Sequence, residues 1–325
     1  MLADEDFVIG GRLNEESFSI DDQAGSAFAA STYEELASLP NVKIMTRTTV
    51  IGAFDHGVYG LVERVADHLK VPADGQPRQR LWRVYGQSAL LCAGATERPI
   101  AFENNDRPGI MLAGAMRAYA NRWATAVGDR IAIFANNDDA HRTAHDLHSL
   151  GVEIAAVIDS RPEAPTSEHF EVLPASEVLN THGRLGINSI DVKTPQGLRQ
   201  LQVSGLGVSG GWNPNIHLTC HQRGRPQWDP VLSAFVPSAD LPKSLLVAGA
   251  ANGKMATAAA MQDAVTTTMK IAKDLGYKPK SLAPPKTSDE SVLVTPFWYV
   301  TGTQRGWVDQ QNDVTVKDIK LAHQE

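Results

Sequence analysis

The sequence predicts an α/β protein, a Rossmann-like dinucleotide-binding layer interrupted by a second, inserted Rossmann-like unit. Two apolar runs, 88–95 and 245–251, end in small residues, as strands buried on both faces do. Residues 130–135, 140–150 and 152–158 repeat a strand, turn, amphipathic helix and strand. Between the outer parts, 58–65 and 80–86 alternate apolar and polar residues around a Pro/Asp/Gly turn at 72–77, which reads as an antiparallel ribbon.

The elements follow in order. Residues 31–39 have helical spacing and 42–50 read as a strand. The apolar strand after the ribbon runs into Ala93-Gly94-Ala95-Thr96-Glu97-Arg98-Pro99, small residues that let backbone approach a ligand at the carboxyl end of a sheet. Residues 109–126 read as an Ala/Met-rich helix. The next strand ends not in glycines but in Ala135-Asn136-Asn137-Asp138-Asp139. Two carboxylates at a helix N-terminus satisfy its dipole internally and repel phosphate, so this unit is expected to have lost dinucleotide binding. Residues 201–209 are expected as a strand entering the Gly210-Gly211-Trp212-Asn213-Pro214 turn. The return strand 244–251 runs through a glycine turn into a helix at 254–275, a place where backbone amides can meet a phosphate, although close packing through alanines explains the same residues. Residues 279–285 are proline-rich and read as a linker; Asp/Thr cap signals near 313–315 precede a helical period.

Composition bounds the function. The chain has 325 residues, 42% hydrophobic and 21% charged, a soluble globular profile with room for two domains. A net charge of -7 and no basic run give no footprint for nucleic acid, and no run spans a membrane, so the expected compartment is the cytoplasm. Cys92 and Cys220 form neither a CxxC pair nor a zinc set, and no metal site is expected. Asp139, His141, Asp146 and His148 read as a solvated helix face, and His217, Cys220 and His221 as neighbours in sequence without triad geometry. Residues 296–300 and Trp307 are expected to be exposed and to suit a subunit interface.

Near the start, a short apolar piece runs into Asp4 and Glu5, and Arg12 follows a glycine pair. These acids fit either a strand end that binds ribose hydroxyls or a solvated acidic terminus.

In this order the segments resemble the two-dinucleotide-domain flavoprotein disulfide-reductase architecture. More narrowly, Ser209-Gly210-Gly211-Trp212-Asn213-Pro214, Ala248-Gly249-Ala250-Ala251-Asn252-Gly253 and Gln311-Asn312-Asp313-Val314-Thr315-Val316-Lys317-Asp318-Ile319 look like the alpha subunit of heterotetrameric sarcosine oxidase. The resemblance implies a slice of a longer subunit, with a glycine-rich turn upstream and a folate-binding domain downstream. It implies oxidative demethylation of sarcosine by oxygen and tetrahydrofolate to glycine, 5,10-methylenetetrahydrofolate and hydrogen peroxide. FAD and FMN would lie mainly on the beta subunit, gamma and delta would complete the complex, and alpha would hold a redox-inert NAD. Carried over by position, NAD contacts fall on Asp4, Glu5, Arg12, Val50, Ala250, Met255 and Thr257, with no catalytic residue. No acid stands at 250–252 where a flavin-binding return motif would have one, which suits a non-flavin dinucleotide. Without the glycine turn, weak or no NAD binding is expected unless the upstream segment is supplied. Two other readings are a non-catalytic interaction subunit and the alpha subunit of a proline or opine dehydrogenase; an iron–sulfur version of the latter needs more cysteines than two. The expected divisions are a dinucleotide-binding part at 1–126, an inserted domain at 127–211, a return segment at 212–280 and a linker with the start of a further region at 281–325.

Overall fold

A computed structural model of the chain describes residues 1–242, 244–288, 290–302 and 305–325. They divide into two compact units. One comprises Met1–Ala95, Pro214–Pro230 and Ala234–Glu290; the other comprises Thr96–Asn213, Val231–Ser233 and Ser291–Glu325.

The first unit holds two short parallel pairs, Leu2–Ala3 beside Ile44–Met45 and Ala89–Leu91 beside Leu245–Val247. Its ribbon is a three-stranded antiparallel sheet, Thr48–Phe54, Val58–Arg64 and Gln79–Tyr85. The expected single strand at 42–50 is broken, because Arg47 takes a left-handed φ of 52° and redirects the chain. Its guanidinium then binds Asp67 at 2.8 Å. At the foot of the ribbon Gly57 has φ 71°, and a Cβ there would meet the Gly86 carbonyl at 2.3 Å, so only glycine fits. Helix Gly25–Ser38 begins six residues before the helical period read from sequence. A core of Ala53, Tyr59, Leu61 and Leu245, with Ala3 and Val50 packed against it, joins the strand ends, ribbon and return strand. Helix Thr257–Asp274 follows the return turn.

The second unit is built on a five-stranded parallel sheet in the order Ile110–Leu112, Gly205–Ser209, Arg130–Ala135, Glu153–Asp159, Val172–Leu173. Residues 109–126 are therefore not all helix. The β-branched and long residues Ile110–Leu112 pair with Leu206–Val208 as an edge strand, and the helix runs Ala113–Trp123, stopped by Ala124 in the left-handed region. The expected 201–209 strand likewise splits. Residues up to Gln202 belong to an antiparallel sheet of Glu177–His182, Ser189–Thr194 and Gly197–Gln202, and the parallel strand restarts at Gly205. Gly205 and Gly207 leave room for Met116, whose atoms lie 3.6 and 3.2 Å from where their Cβ atoms would stand.

One face of this sheet packs Phe134 and Ile158 with Phe102, the Phe102 and Phe134 rings 5.9 Å apart and edge-on. The other packs Ile133 and Val157 against Met116 and the helix Asp138–Ser149 through Ala140 and Ala144. The exposed surface expected at 296–300 and Trp307 is found only in part: Pro296 and Tyr299 are exposed, Val300 is buried, and Phe297, Trp298 and Trp307 are half-buried. Phe297 lies edge-on to Phe134 at 6.2 Å, and Trp298 stacks under the Arg98 guanidinium at 4.7 Å. Arg98 Nε, Trp298 Nε1 and Asn136 Nδ2 all donate to the Gly210 carbonyl, at 3.0, 2.8 and 3.4 Å. Burial without a carboxylate lowers the Arg98 pKa to about 10. The C-terminal helix Val316–Gln324 starts on a capping box between Thr315 and Asp318, as its cap signals predict.

Phe134 is fully buried and contacts aromatic rings on both sides. Phe134→Ala is expected to cost about 3–5 kcal/mol, read as a lowered urea midpoint; a loss under about 1 kcal/mol would mean the site collapses around the gap.

Candidate dinucleotide site

At the carboxyl end of Leu2–Ala3, Asp4 donates its N–H to the Met45 carbonyl at 2.9 Å and accepts from Thr48 N at 2.8 Å. These bonds fix the backbone, while the half-buried side chain accepts the Asp6 N–H on Oδ1 at 2.9 Å. Glu5 is exposed, and its carbonyl takes Arg64 Nη2 at 2.8 Å. Arg12 stands in the turn Gly11–Asn14 and is ion-paired with Glu16 one turn on. Val50, on the first ribbon strand, packs into the same core as Ala3 and Leu245. Asp4 and Val50 are thus brought to one region by the Thr48 hydrogen bond and that shared core.

The return turn is built differently. Leu245–Val247 ends in the tight turn Gly249–Asn252, which holds Ala250, and Gly249 and Gly253 have φ of 73° and 76°. A carboxylate from the helix below clamps it: Asp263 Oδ2 accepts Gly249 N at 3.0 Å and Asn252 Nδ2 at 3.1 Å. Sequence reasoning missed Asp263. The signal available was an acid inside the Ala/Thr/Met-rich stretch 257–273. Desolvation, with the Asp263 charge adding to it, pushes the Cys92 thiol up. Met255 is half-buried just before the helix. Thr257 opens that helix behind an Ala256 N-cap that offers no side-chain acceptor. Instead Thr257 N and Oγ1 both donate to Glu290 Oε1, each at 2.7 Å.

The corresponding end of the second unit is closed by its own residues. Asn137 caps the helix by accepting Ala140 N at 3.2 Å. Asp138 and Asp139 follow, both buried. Arg161 joins Asp138 at 2.7 Å and Asp159 at 2.8 Å, and His141 Nε2 reaches Asp159 at 2.7 Å. Asp139 takes Arg117 at 3.3 Å and Trp212 Nε1 at 2.9 Å. The segment after Glu290 lies across the strand ends: Asp138 N donates to Leu293 O and Thr295 N to Asn136 O, both at 3.0 Å, and Ser291 Oγ donates to Asp138. The helix face expected to be solvated is therefore not so: His141 and Asp139 point inward to these partners, Asp146 pairs with the buried Arg117 at 2.5 Å, and His148 is half-buried. His145, on the same helix, is exposed beside His169. His221 accepts the Ala53 N–H at 3.3 Å and forms no nucleophile pair.

Burial alone would raise the Asp159 carboxyl, but hydrogen bonds from His141 and Arg161, together with the Arg161 charge, outweigh it and hold the group below its ordinary value. A depressed folded value means that this stabilisation is complete above the unfolded carboxyl pKa of about 4 and is lost as pH falls below it.

No protein-family model matches the chain. Across 330 residues, all of this chain and 33% of the relative, it is 39% identical to the sarcosine oxidase subunit alpha of Rhizobium meliloti strain 1021. The chain is a relative of the sarcosine oxidase alpha subunits. It spans about a third of the length of the curated relatives it matches. Among solved structures, L-proline dehydrogenase from P. horikoshii superposes with a TM-score of 0.64 at 18% identity, over 86% of this chain and 51% of that one. Thioredoxin reductase from T. acidophilum gives 0.62 at 12% identity, over 84% and 89%. At these identities the likeness shows the fold, the disulfide-reductase type of Rossmann-like FAD/NAD(P)-binding fold shared with this sarcosine oxidase alpha relative. No helix among the described residues is long and apolar enough to cross a membrane.

Arg161→Leu leaves Asp138 and Asp159 buried without their shared cation, an expected loss of about 3–5 kcal/mol. Urea unfolding near neutral pH measures it. The gap between variant and wild type should narrow in acid, as Asp159 is protonated; a gap independent of pH would contradict the pairing.

Proposed function

We propose that this chain is the NAD-binding scaffold of a sarcosine oxidase alpha subunit. The observation that carries the reading is the 39% identity along the whole chain, which includes the strand end at Asp4 and the return turn at 249–253. The residues fit a dinucleotide in part. Asp4 presents a half-buried carboxylate at a parallel strand end, the chemistry that accepts ribose hydroxyl protons, with Glu5 beside it in sequence. Val50 gives an apolar surface for the adenine. Ala250 and Met255 flank the glycine turn, where backbone can approach closely. Arg12 and Thr257 supply a cation and two donors suited to diphosphate oxygens, and both are held by carboxylates of this chain, Glu16 and Glu290.

In the complete enzyme this scaffold would act with beta, gamma and delta subunits. The reaction would convert sarcosine, oxygen and tetrahydrofolate to glycine, 5,10-methylenetetrahydrofolate and hydrogen peroxide, with FAD and FMN supplying the redox chemistry and folate bound outside this segment. On this reading the residues of this chain bind and orient the nucleotide. NAD would serve as a structural nucleotide, and the cytoplasm would be the compartment.

Co-expression of the full-length protein with its partner subunits tests the reading, by sarcosine-dependent peroxide formation assayed against proline and opines. Turnover of sarcosine and extractable NAD are expected. Preference for proline or an opine would move the chain to a related dehydrogenase, and a complex without flavin or turnover would leave an interaction subunit. Asp4→Ala should reduce NAD retention about tenfold, since a charged hydrogen bond contributes about 1.5–3 kcal/mol; unchanged retention would remove Asp4 from the site.

A further inference from the structure

The helix Thr257–Asp274 has 18 residues and so runs about 27 Å. After the helix, the chain is tied back to the segment 19–21 of the first unit. It is pinned at two residues. Lys286 accepts Asp21 N on its carbonyl at 2.8 Å and donates its own N–H to Asp21 Oδ1 at 2.7 Å. Thr287 Oγ1 donates to the Ser19 carbonyl at 3.0 Å, and Thr287 bridges Ile20, which is fully buried. Three residues further on, the Glu290 side chain reaches the start of that same helix.

What it meets there is an uncapped end. Ala256 at the N-cap has no side-chain oxygen, so the helix supplies no local acceptor for its first amides. Glu290 Oε1 fills that role and takes both the backbone N–H and the hydroxyl of Thr257 at 2.7 Å. A carboxylate at a helix N-terminus is stabilised by the partial positive charge of the amides, and a diphosphate oxygen is stabilised there by the same groups. Both ligands cannot use the same two donors at once.

We propose that Glu290 is an internal competitor for the dinucleotide, a carboxylate latch that holds the Thr257 donors when the site is empty and is displaced when the cofactor's diphosphate arrives. This rests on the reading of Thr257 as a NAD contact. The latch has two consequences for the same site. It keeps the uncapped helix start satisfied in the absence of ligand, and it sets NAD affinity below what the donors alone would give. The pins at Lys286 and Thr287 do not involve the Thr257 donors, so Glu290 can leave those donors while the pins hold.

The test is a titration of the full-length protein, freed of nucleotide, with NAD by calorimetry. Glu290→Ala is expected to bind NAD about tenfold tighter than wild type, the counterpart of one charge-assisted hydrogen-bond acceptor removed from the competition. Glu290→Gln, which keeps the shape and loses the charge, is expected to lie between them and serves where the alanine variant does not fold. Thr257→Val, which loses the hydroxyl, is expected to weaken NAD. If wild type binds NAD and neither Glu290 variant binds it more tightly, the latch is refuted while the NAD reading stands. If wild type and both Glu290 variants bind none, the NAD reading falls and the latch with it. Binding by Glu290→Ala alone would support both.

Discussion

Asp159 ends an inner strand of the parallel sheet with no solvent exposure, and a carboxylate in that position is tolerable only with its charge matched on the spot. Arg161, two residues later, does this and reaches Asp138 at the start of the neighbouring helix. The consequence spreads through the second unit. His141 is drawn inward to Asp159 Oδ2, which it shares with Arg161, and Asp138 becomes an anchor for Ser291 and the Leu293 amide. The place where a Rossmann-like unit opens toward a nucleotide is here a set of paired charges under a piece of the same chain. Replacing any one partner exposes the others to the desolvation they now share.

The two units treat the same structural opportunity in opposite ways. Each has a parallel strand ending at a tight turn before a helix. In the second unit the turn carries its own asparagine cap and two acids, so the helix dipole is satisfied within the sequence that forms it. In the first unit the cap position is an alanine, and the acceptor comes from 33 residues away. The first cap depends on the placement of a distant residue, whereas the second is part of its own turn.

Much of this was legible before any coordinates. The ribbon, the return strand, the strand, helix and strand of 130–158 and the cap signal near 313–315 follow from periodicity and cap chemistry, which are local. The breaks at Arg47 and at Ser204 were not, because each depends on which sheet the flanking residues join. Helical spacing at 109–126 hid a three-residue edge strand, since Ile110, Met111 and Leu112 suit either state and only pairing with 206–208 decides. The inward turn of His141 depends on Asp159, 18 residues on. Asp263 and Glu290 were missed for the same reason: their partners, a backbone amide and a side chain each, lie 11 to 33 residues away in the chain.

The Gly210 carbonyl, with an arginine, a tryptophan and an asparagine all donating to it, has more donors than it has lone pairs, so the three bonds share its electron density. Those donors come from 98, 136 and 298, segments far apart in the chain. No single one of them can leave without the oxygen remaining held by the others, and the carbonyl reaches water only when all three segments separate. The turn at 210–211 therefore has no cheap fluctuation of its own; its opening is the opening of the unit, and its stability is that of the whole fold and not of a loop.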